Sequence, residues 1–370
     1  MAFNFFKKKE KDNSANKKND RYKELTVRQV VHATKDAIVI EFEKPEWEIS
    51  YTAGQFLTLI TDINGESVRR AYSLCTSPLV DEFPAVTVKR VEGGRMSNYL
   101  NDNLKAGESM QVLEPMGNFT TEVVAEKKRH LIMFAGGSGI TPMMGISKSI
   151  LHGESDSIIS LIYANRNLES VIFKKEFDAL EDKYEGRMHV IHVLDDAPLN
   201  WQGESGLLNE EMLKKIFVRI PSWGSEQTQY LMCGPEGMMK NVEQALEVLE
   251  IPKANIFKES FVQGTIDKAN KSTAKVEVGG DYEVTILFDD EEHVFTVPAD
   301  KSILETALDA DIDLPFSCQS GLCTACRGKL LSGTMHLDED EGLSDSEKEE
   351  GYVLTCVGHP TSEGVKIKIG

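Results

Sequence analysis

The chain has 370 residues, 41% of them hydrophobic, and a formal net charge of −19. That length predicts two or three domains with ordinary cores. The acidic balance excludes a nucleic-acid-binding function, which needs a basic face, and no apolar run is long enough to span a membrane.

The N-terminus reads Met1-Ala-Phe3-Asn-Phe5-Phe6 followed by Lys7, Lys8 and Lys9. A secretory signal carries its charge first and a longer apolar core second, so this order does not fit one. Glu10 and Asp12 speak against a transit peptide. The expectation is a disordered polar tail over 1–20; weak contact of Phe3, Phe5 and Phe6 with a membrane surface is the alternative. Six cysteines in so long a chain point to a reducing compartment and a cytoplasmic protein.

From Leu25 the texture changes to short β-rich runs: Leu25 to Val31, Ala37 to Phe42, Gly54 to Ile60 and Ala85 to Val91. Turn residues at Asn64-Gly65, Ser77-Pro78 and Gly93-Gly94 separate them, which predicts a closed antiparallel barrel. Two spots in it carry chemistry. In Arg70-Ala71-Tyr72-Ser73, Arg70 and Tyr72 share one face of a strand. A guanidinium suits a phosphate, and a tyrosine ring lies flat on a flavin or its ribityl chain. In Gly93-Gly94-Arg95-Met96-Ser97 a glycine turn opens a helix whose N–H groups would hold phosphate. Each is weak alone: the first fits an ordinary strand, the second an ordinary turn.

After Lys127-Lys128-Arg129 the pattern becomes strand, loop, helix. His130 to Ala135 is a continuous apolar run, as in a buried parallel strand. It feeds Gly136-Gly137-Ser138-Gly139-Ile140-Thr141-Pro142, where Gly137 and Gly139 allow close approach of a pyrophosphate and Pro142 suits a first helical turn. The next strand, Ile158 to Tyr163, runs into Ala164-Asn165-Arg166, with Glu169 and Ser170 beyond. An arginine there would accommodate a 2′-phosphate, whereas an acid would bind a 2′-hydroxyl. Arg166 and Ser170 lean toward NADPH, with NADH as the alternative, and Glu169 argues for the latter. A third strand, Gln229 to Met232, ends in Cys233-Gly234-Pro235. Cys233 is either a packed small residue or a group at the strand end where such sheets bind ligands. Lys258-Glu259-Ser260-Phe261 closes the segment, and 263–280 has the small and polar composition of a linker.

The last stretch carries about 20 acidic against about 6 basic residues from Asp281 onward. This is either a solubilising surface or a face that steers a partner protein. Tyr282 to Phe288 and His293 to Val297 predict a hairpin around residues 289–292. Ser302 with Glu305 and Ser344 with Glu347 each fit a capping box at a helix start. Cys318, Cys323 and Cys326 stand in a C-x4-C-x2-C run, and Cys356 follows. That is the spacing of four thiolates around a plant-type 2Fe–2S cluster. The competing readings are structural zinc, which favours matched C-x2-C pairs or added histidine, and a disulfide framework. His336 and His359 are expected to be structural.

These motifs together resemble the ferredoxin–NADP reductase superfamily joined to a plant-type ferredoxin, in the order found in reductase components of bacterial oxygenase systems. The resemblance implies three domains: an antiparallel β-barrel flavin domain over 21–126, an α/β parallel-sheet NAD(P) domain over 127–262, and an α+β (β-grasp) 2Fe–2S domain over 281–370. It implies FAD, not FMN, because the second flavin motif, Gly94 to Ser97, meets a pyrophosphate. On the flavin side the implied cofactor contacts are Arg70, Ala71, Tyr72, Ser73, Lys89, Gly94, Met96 and Ser97. On the nicotinamide side they are Gly137, Gly139, Thr141, Pro142, Arg166, Ser170, Cys233, Gly234 and Pro235, with Phe261 beside the flavin ring. Ser73, Cys233 and Glu259 would surround the hydride-transfer locus. Electrons would leave through the cluster to an electron-accepting protein, an oxygenase component; a reductase serving a soluble ferredoxin, flavodoxin or cytochrome, with no dedicated oxygenase, is the alternative.

Overall fold

A computed structural model of the protein describes residues 21–221, 227–261 and 281–370. The tail expected over 1–20 and the linker expected over 263–280 lie outside the described residues.

The first unit is a six-stranded antiparallel barrel. Its strands are β1 (Tyr22–Thr34), β2 (Ala37–Phe42), β3 (Phe56–Ile63), β4 (Glu66–Ser73), β5 (Ala85–Lys89) and β6 (Ser109–Leu113), in the order β4-β3-β6-β1-β2-β5. A bridge between Leu74 and Val86 joins the two ends and closes the ring. Alternation does the sorting: Leu25 and Val27 turn inward while Thr26 and Arg28 face out. Ile38, Ile40, Leu57, Leu59, Val86 and Val88 complete the interior with Met96 and Leu100 of helix α1 (Arg95–Asn103). Gly93, at φ +69°, makes the turn into that helix.

The second unit is a parallel sheet of β7 (His130–Gly136), β8 (Ile158–Asn165), β9 (Met188–Leu194), β10 (Glu204–Ser205), β11 (Thr228–Gly234) and β12 (Ile256–Ser260). Its order is β10-β9-β8-β7-β11-β12. Helices α2 (Ile140–Gly153), α3 (Lys174–Lys183), α4 (Glu210–Phe217) and α5 (Glu236–Val248) cover its faces. Every residue of β7 is buried, as its unbroken apolar run requires. The chain leaves β7 toward β8 on one side, and β11 pairs with β7 on the other. Order therefore switches at β7, and it is at the strand ends beside such a switch that sheets of this kind bind ligands in a crevice.

Barrel and sheet share one apolar core. Ala37, Ala53, Cys75, Ala85 and Phe119 of the barrel pack with Leu131, Met133, Met143, Met144 and Ile146. A buried ion pair pins the joint: Arg129 binds Glu154 through Nη2 at 2.7 Å and Nε at 3.1 Å, and also reaches Thr121, Gln229 and the Glu122 carbonyl.

The third unit has strands β13 (Tyr282–Phe288), β14 (Glu291–Val297), β15 (Arg327–Ser332), β16 (Met335–Leu337), β17 (Tyr352–Leu354), β18 (Gly358–Pro360) and β19 (Val365–Lys368). Five form the sheet β14-β13-β19-β15-β17, and β16 pairs with β18. Helix α6 (Ile303–Asp309) packs into the core of this sheet, and α7 (Asp345–Glu349) lies beyond the cysteine loop. Both expected capping boxes form, Ser302 with Glu305 and Ser344 with Glu347. The hairpin is tighter than expected: β14 begins at Glu291, and only Asp289 and Asp290 make the turn, at φ 53° and 62°. Two left-handed residues give the turn whose twist matches the strands, and aspartate tolerates that conformation. The buried core of this unit draws only on residues between Val284 and Ile369.

Candidate functional site

In the barrel, β4 ends in the Arg70 to Ser73 stretch. The Arg70 guanidinium donates to the neighbouring Arg69 carbonyl at 2.7 Å and is otherwise exposed, well placed for an incoming anion. Tyr72 is packed against the barrel core, and burial raises its phenol pKa. Gly94 caps α1 in an extended conformation with no side chain on the first N–H groups, which leaves the helix start free for phosphate. A β-carbon at Gly94 would lie 2.6 Å from Ser97 Oγ, so the turn closes tightly on the helix. Ser97 is buried and accepts from the Val91 N–H at 3.2 Å, and Met96 points into the core. Met96 can therefore meet a cofactor only through its backbone. These residues fit a flavin carrying a pyrophosphate.

At the crevice, Gly137 adopts φ +52° and Gly139 opens α2. The two glycines differ in what they serve. A β-carbon on Gly139 would fall 2.0 Å from the Cys233 carbonyl oxygen, so its bareness lets the loop close onto β11. A β-carbon on Gly137 would instead meet the Lys89 Nζ, at 3.1 Å. Gly136 and Gly234 pack equally closely: a β-carbon on Gly234 would lie 2.9 Å from the Gly136 backbone. Thr141 donates to the Ser138 carbonyl at 3.1 Å, and Pro142 is buried in the first turn of α2.

Lys89, from the barrel, and Arg166, after β8, face this loop. Burial lowers the Lys89 pKa, and nearby Arg166 lowers it further. The Ser170 hydroxyl is spent locally: it donates to the Asn167 carbonyl at 2.7 Å within a capping box. β8 continues to Asn165, whose side chain is buried with neither polar atom partnered. Asp195 follows β9 and interacts with Arg166; burial raises its pKa and the guanidinium opposes this.

Ser73, Cys233 and Glu259 converge. Parallel pairing sets Cys233 of β11 beside Glu259 of β12, and the Ser73 hydroxyl donates to Glu259 Oε2 at 3.4 Å. Enclosure of the Glu259 carboxyl pushes its pKa up to about 8, with the serine hydrogen bond opposing. Burial pushes the Cys233 thiol well up, and Glu259 adds to it. Enclosure thus favours the uncharged form of both side chains. Phe261 is half-buried against the shared core.

The four cysteines of the third unit also come together. Cys318 lies beside both Cys323 and Cys356, and Cys356 beside Cys326 as well, so the four thiols form one contiguous group. Among the described residues no three His, Cys, Asp or Glu side chains converge as ligands of one ion would. All six cysteines are free thiols. The Ser320 N–H donates to Cys318 Sγ at 3.4 Å. The hydroxyls of Ser317 and Ser320 are buried without a partner, placed to meet a polar inorganic core. His359 is structural, bridging the Lys301 carbonyl at 3.1 Å and Asp338 at 3.2 Å.

Three domain families match in chain order. They are the oxidoreductase FAD-binding domain over residues 23–121, the oxidoreductase NAD-binding domain over 133–244 and the 2Fe–2S iron–sulfur cluster binding domain over 286–361. The chain is 33% identical to a subunit of the 1,2-phenylacetyl-CoA epoxidase of Escherichia coli (strain K12), over 93% of this chain and 96% of that one. The chain belongs to the flavin and iron–sulfur reductases of the ferredoxin–NADP reductase superfamily. A second relative of this reductase is the ferredoxin reductase component of 3-ketosteroid-9-alpha-monooxygenase from Rhodococcus rhodochrous, 35% identical over 93% of this chain and 96% of that one. Phthalate dioxygenase reductase shares the fold, with TM-score 0.57 at 24% identity over 95% of this chain and 99% of that one.

The reductase is thus an oxidoreductase with FAD, nicotinamide and 2Fe–2S domains arranged for electron transfer. Among the described residues no helix is long and apolar enough to cross a membrane. Sequence reasoning missed Asn165 and Asp195. Asn165 lies two residues beyond Tyr163, where the apolar run ends, and β8 carries it inside. Asp195 follows a strand that no motif marks, so only the sheet order brings it to Arg166.

Proposed function

We propose that this reductase takes electrons from NADPH and delivers them singly to an oxygenase component resembling that of a phenylacetyl-CoA epoxidase. The observation that carries the reading is the meeting of Ser73, Cys233 and Glu259 between two domains, in a chain that also gathers four thiols. Bound flavin would accept the hydride and release its electrons one at a time, and a two-iron cluster would pass each onward. The chain's own residues orient and insulate. Arg70 and the start of α1 would hold the flavin phosphates, and Tyr72 and Ser73 its ring and ribityl chain. Gly137 and the α2 terminus would hold the nicotinamide phosphates, with Thr141 and Pro142 shaping the loop and Gly234 and Pro235 making room for the ring. Cys233 and Glu259 would border the hydride path, and Cys318, Cys323, Cys326 and Cys356 would bind the irons.

The preference for NADPH rests on Arg166 together with Lys89, two cations at one loop; Asp195 supports NADH instead. The relatives' names support an oxygenase partner: one serves an acyl-CoA epoxidase and another a steroid monooxygenase. Free thiols throughout favour the cytoplasm.

Anaerobic titration tests this. NADPH should bleach flavin absorbance and then cluster absorbance; protein that neither nucleotide bleaches would refute the reading. Arg166→Ala should raise KM for NADPH roughly tenfold, the size of a lost charge-assisted hydrogen bond, and leave KM for NADH nearly unchanged. Equal effects on both would remove the assigned preference.

A further inference from the structure

The three units are joined in two different ways. Barrel and parallel sheet share a continuous apolar core. The iron–sulfur domain keeps its own core, and among the described residues hydrogen bonds, ion pairs and cation–π contacts link it to the barrel. The main contact is a seat of three barrel side chains, Arg21, Tyr22 and Arg69. Arg21 donates to the Asp313 carbonyl at 2.7 Å, and Tyr22 donates to Asp313 Oδ2 at 2.5 Å. Arg69 pairs with Asp313 Oδ1 at 3.7 Å, and its guanidinium lies over the Phe316 ring, 4.3 Å from the centroid. Arg21 also pairs with Asp289 at 3.4 Å and covers Phe288 at 4.5 Å. A second point is a hydrogen bond from Asn118 to Glu347. On the far flank, Glu341 shares a cleft with Glu236, Lys240 and Glu243 of the nicotinamide domain.

Two facts give the seat a consequence. Phe316 stands two residues before Cys318, so whatever holds Phe316 holds the start of the cluster loop. Arg69 and Ser73 lie on the same face of β4, about 13 Å apart at 3.3 Å per residue. One end of that face meets the iron–sulfur domain through Arg69, and the other meets Glu259 of the nicotinamide domain through Ser73. A single strand thus spans from the cluster arm to the hydride locus.

We infer that Arg69 is a positioning residue: with Arg21 and Tyr22 it docks the Asp313–Phe316 arm against the barrel and so sets the distance from flavin to cluster. The dock is ionic and reversible. The Arg69 and Asp313 side chains are 15% and 23% exposed, so salt reaches them. The Arg69 Nη1 and Arg21 Nε atoms are buried without partners, which leaves the bound state undersatisfied. Interfaces of this polar kind permit relative domain motion.

The inference rests on the electron-transfer reading above, and its test separates the two. Holoenzyme is mixed with NADPH in stopped flow, following flavin and cluster bands separately, and its radius of gyration is measured by small-angle scattering across a salt series. Arg69→Ala and Asp313→Asn should each slow cluster reduction by roughly three- to tenfold, leave flavin bleaching unchanged and enlarge the particle at low salt. Raising salt should do the same to the unmodified protein and add little to the variants. The reversed pair Arg69→Asp with Asp313→Arg should recover most of the rate. Flavin that does not bleach overturns the electron-transfer reading. Normal flavin bleaching, with cluster rate and radius both insensitive to salt and to every variant that retains its cluster band, overturns the dock.

Discussion

The proposed hydride end and the proposed electron-exit end of this reductase are built on opposite plans. At the hydride end, Ser73 and Glu259 are 186 residues apart and meet because a barrel strand and the edge of a parallel sheet are packed on one core. At the exit end, Cys318, Cys323 and Cys326 lie in one loop, and Cys356 is brought in by β17, which pairs with β15 just after Cys326. The first site is a product of domain packing, and the second of local chain geometry. The two should therefore fail separately.

The largest expected effect tests that separation. Cys326→Ser removes one thiol from the group of four, at a buried position. The cluster absorbance should vanish, and reduction of any protein acceptor should fall to near zero. Bleaching of flavin by NADPH should persist at its original rate, because no residue of the hydride locus belongs to the iron–sulfur core. If flavin content or bleaching fell in parallel, the two ends would be coupled and the comparison would break.

A smaller effect probes the hydride end by pH. The Glu259 pKa, ordinarily 4.5, is raised to about 8 by enclosure of the carboxyl. A raised carboxyl pKa favours the folded state fully below about 4.5, and this contribution is lost as pH climbs through about 8. Glu259→Gln, always neutral, should match the parent in acid and exceed its thermal stability in mildly alkaline buffer. The same pH rise should slow flavin reduction in the parent, while the variant should be slower throughout but flat. Parallel pH profiles for the two proteins would show that this carboxyl ionises as it does in water.

How much of each end was legible follows from the same contrast. The Ser302 and Ser344 capping boxes and the apolar run of β7 are local signals, and each matches the structure at those residues; the cysteine spacing is local too. The position of Gly139 shows the limit. Its sequence context suggests approach to a phosphate, yet its backbone packs on Cys233, a contact that exists only once β7 and β11 are paired. Strand β12 has no fully buried residue and is held by pairing with β11, so hydropathy does not mark it, although it places Glu259. Arg69 gave no signal beside the conspicuous Arg70, because its partners Asp313 and Phe316 are distant in sequence. Residues that join domains lack a period or a motif, and only tertiary structure reveals them.

The smallest effect sharpens the separation into a matter of folding units. Ser302 caps α6 by accepting from the Glu305 N–H at 3.2 Å, while the Ser302 N–H donates to the Glu305 carboxylate at 3.0 Å. The same turn is tied to the cysteine region, since the Leu304 N–H donates to the Thr355 carbonyl at 3.0 Å, one residue before Cys356. Ser302→Ala should cost about 1 kcal/mol, the usual worth of such a cap. In a small domain that lowers the melting midpoint by about 4–8 °C. Because the core around α6 draws on no residue of the barrel or the parallel sheet, the shift should appear in the thermal loss of cluster absorbance and leave flavin release unmoved. Two transitions, one displaced and one fixed, would identify the iron–sulfur domain as an independent folding unit held by an ionic seat. A joint displacement would mean that the polar contacts at Asp313 and Glu347 couple the units as tightly as a shared core does.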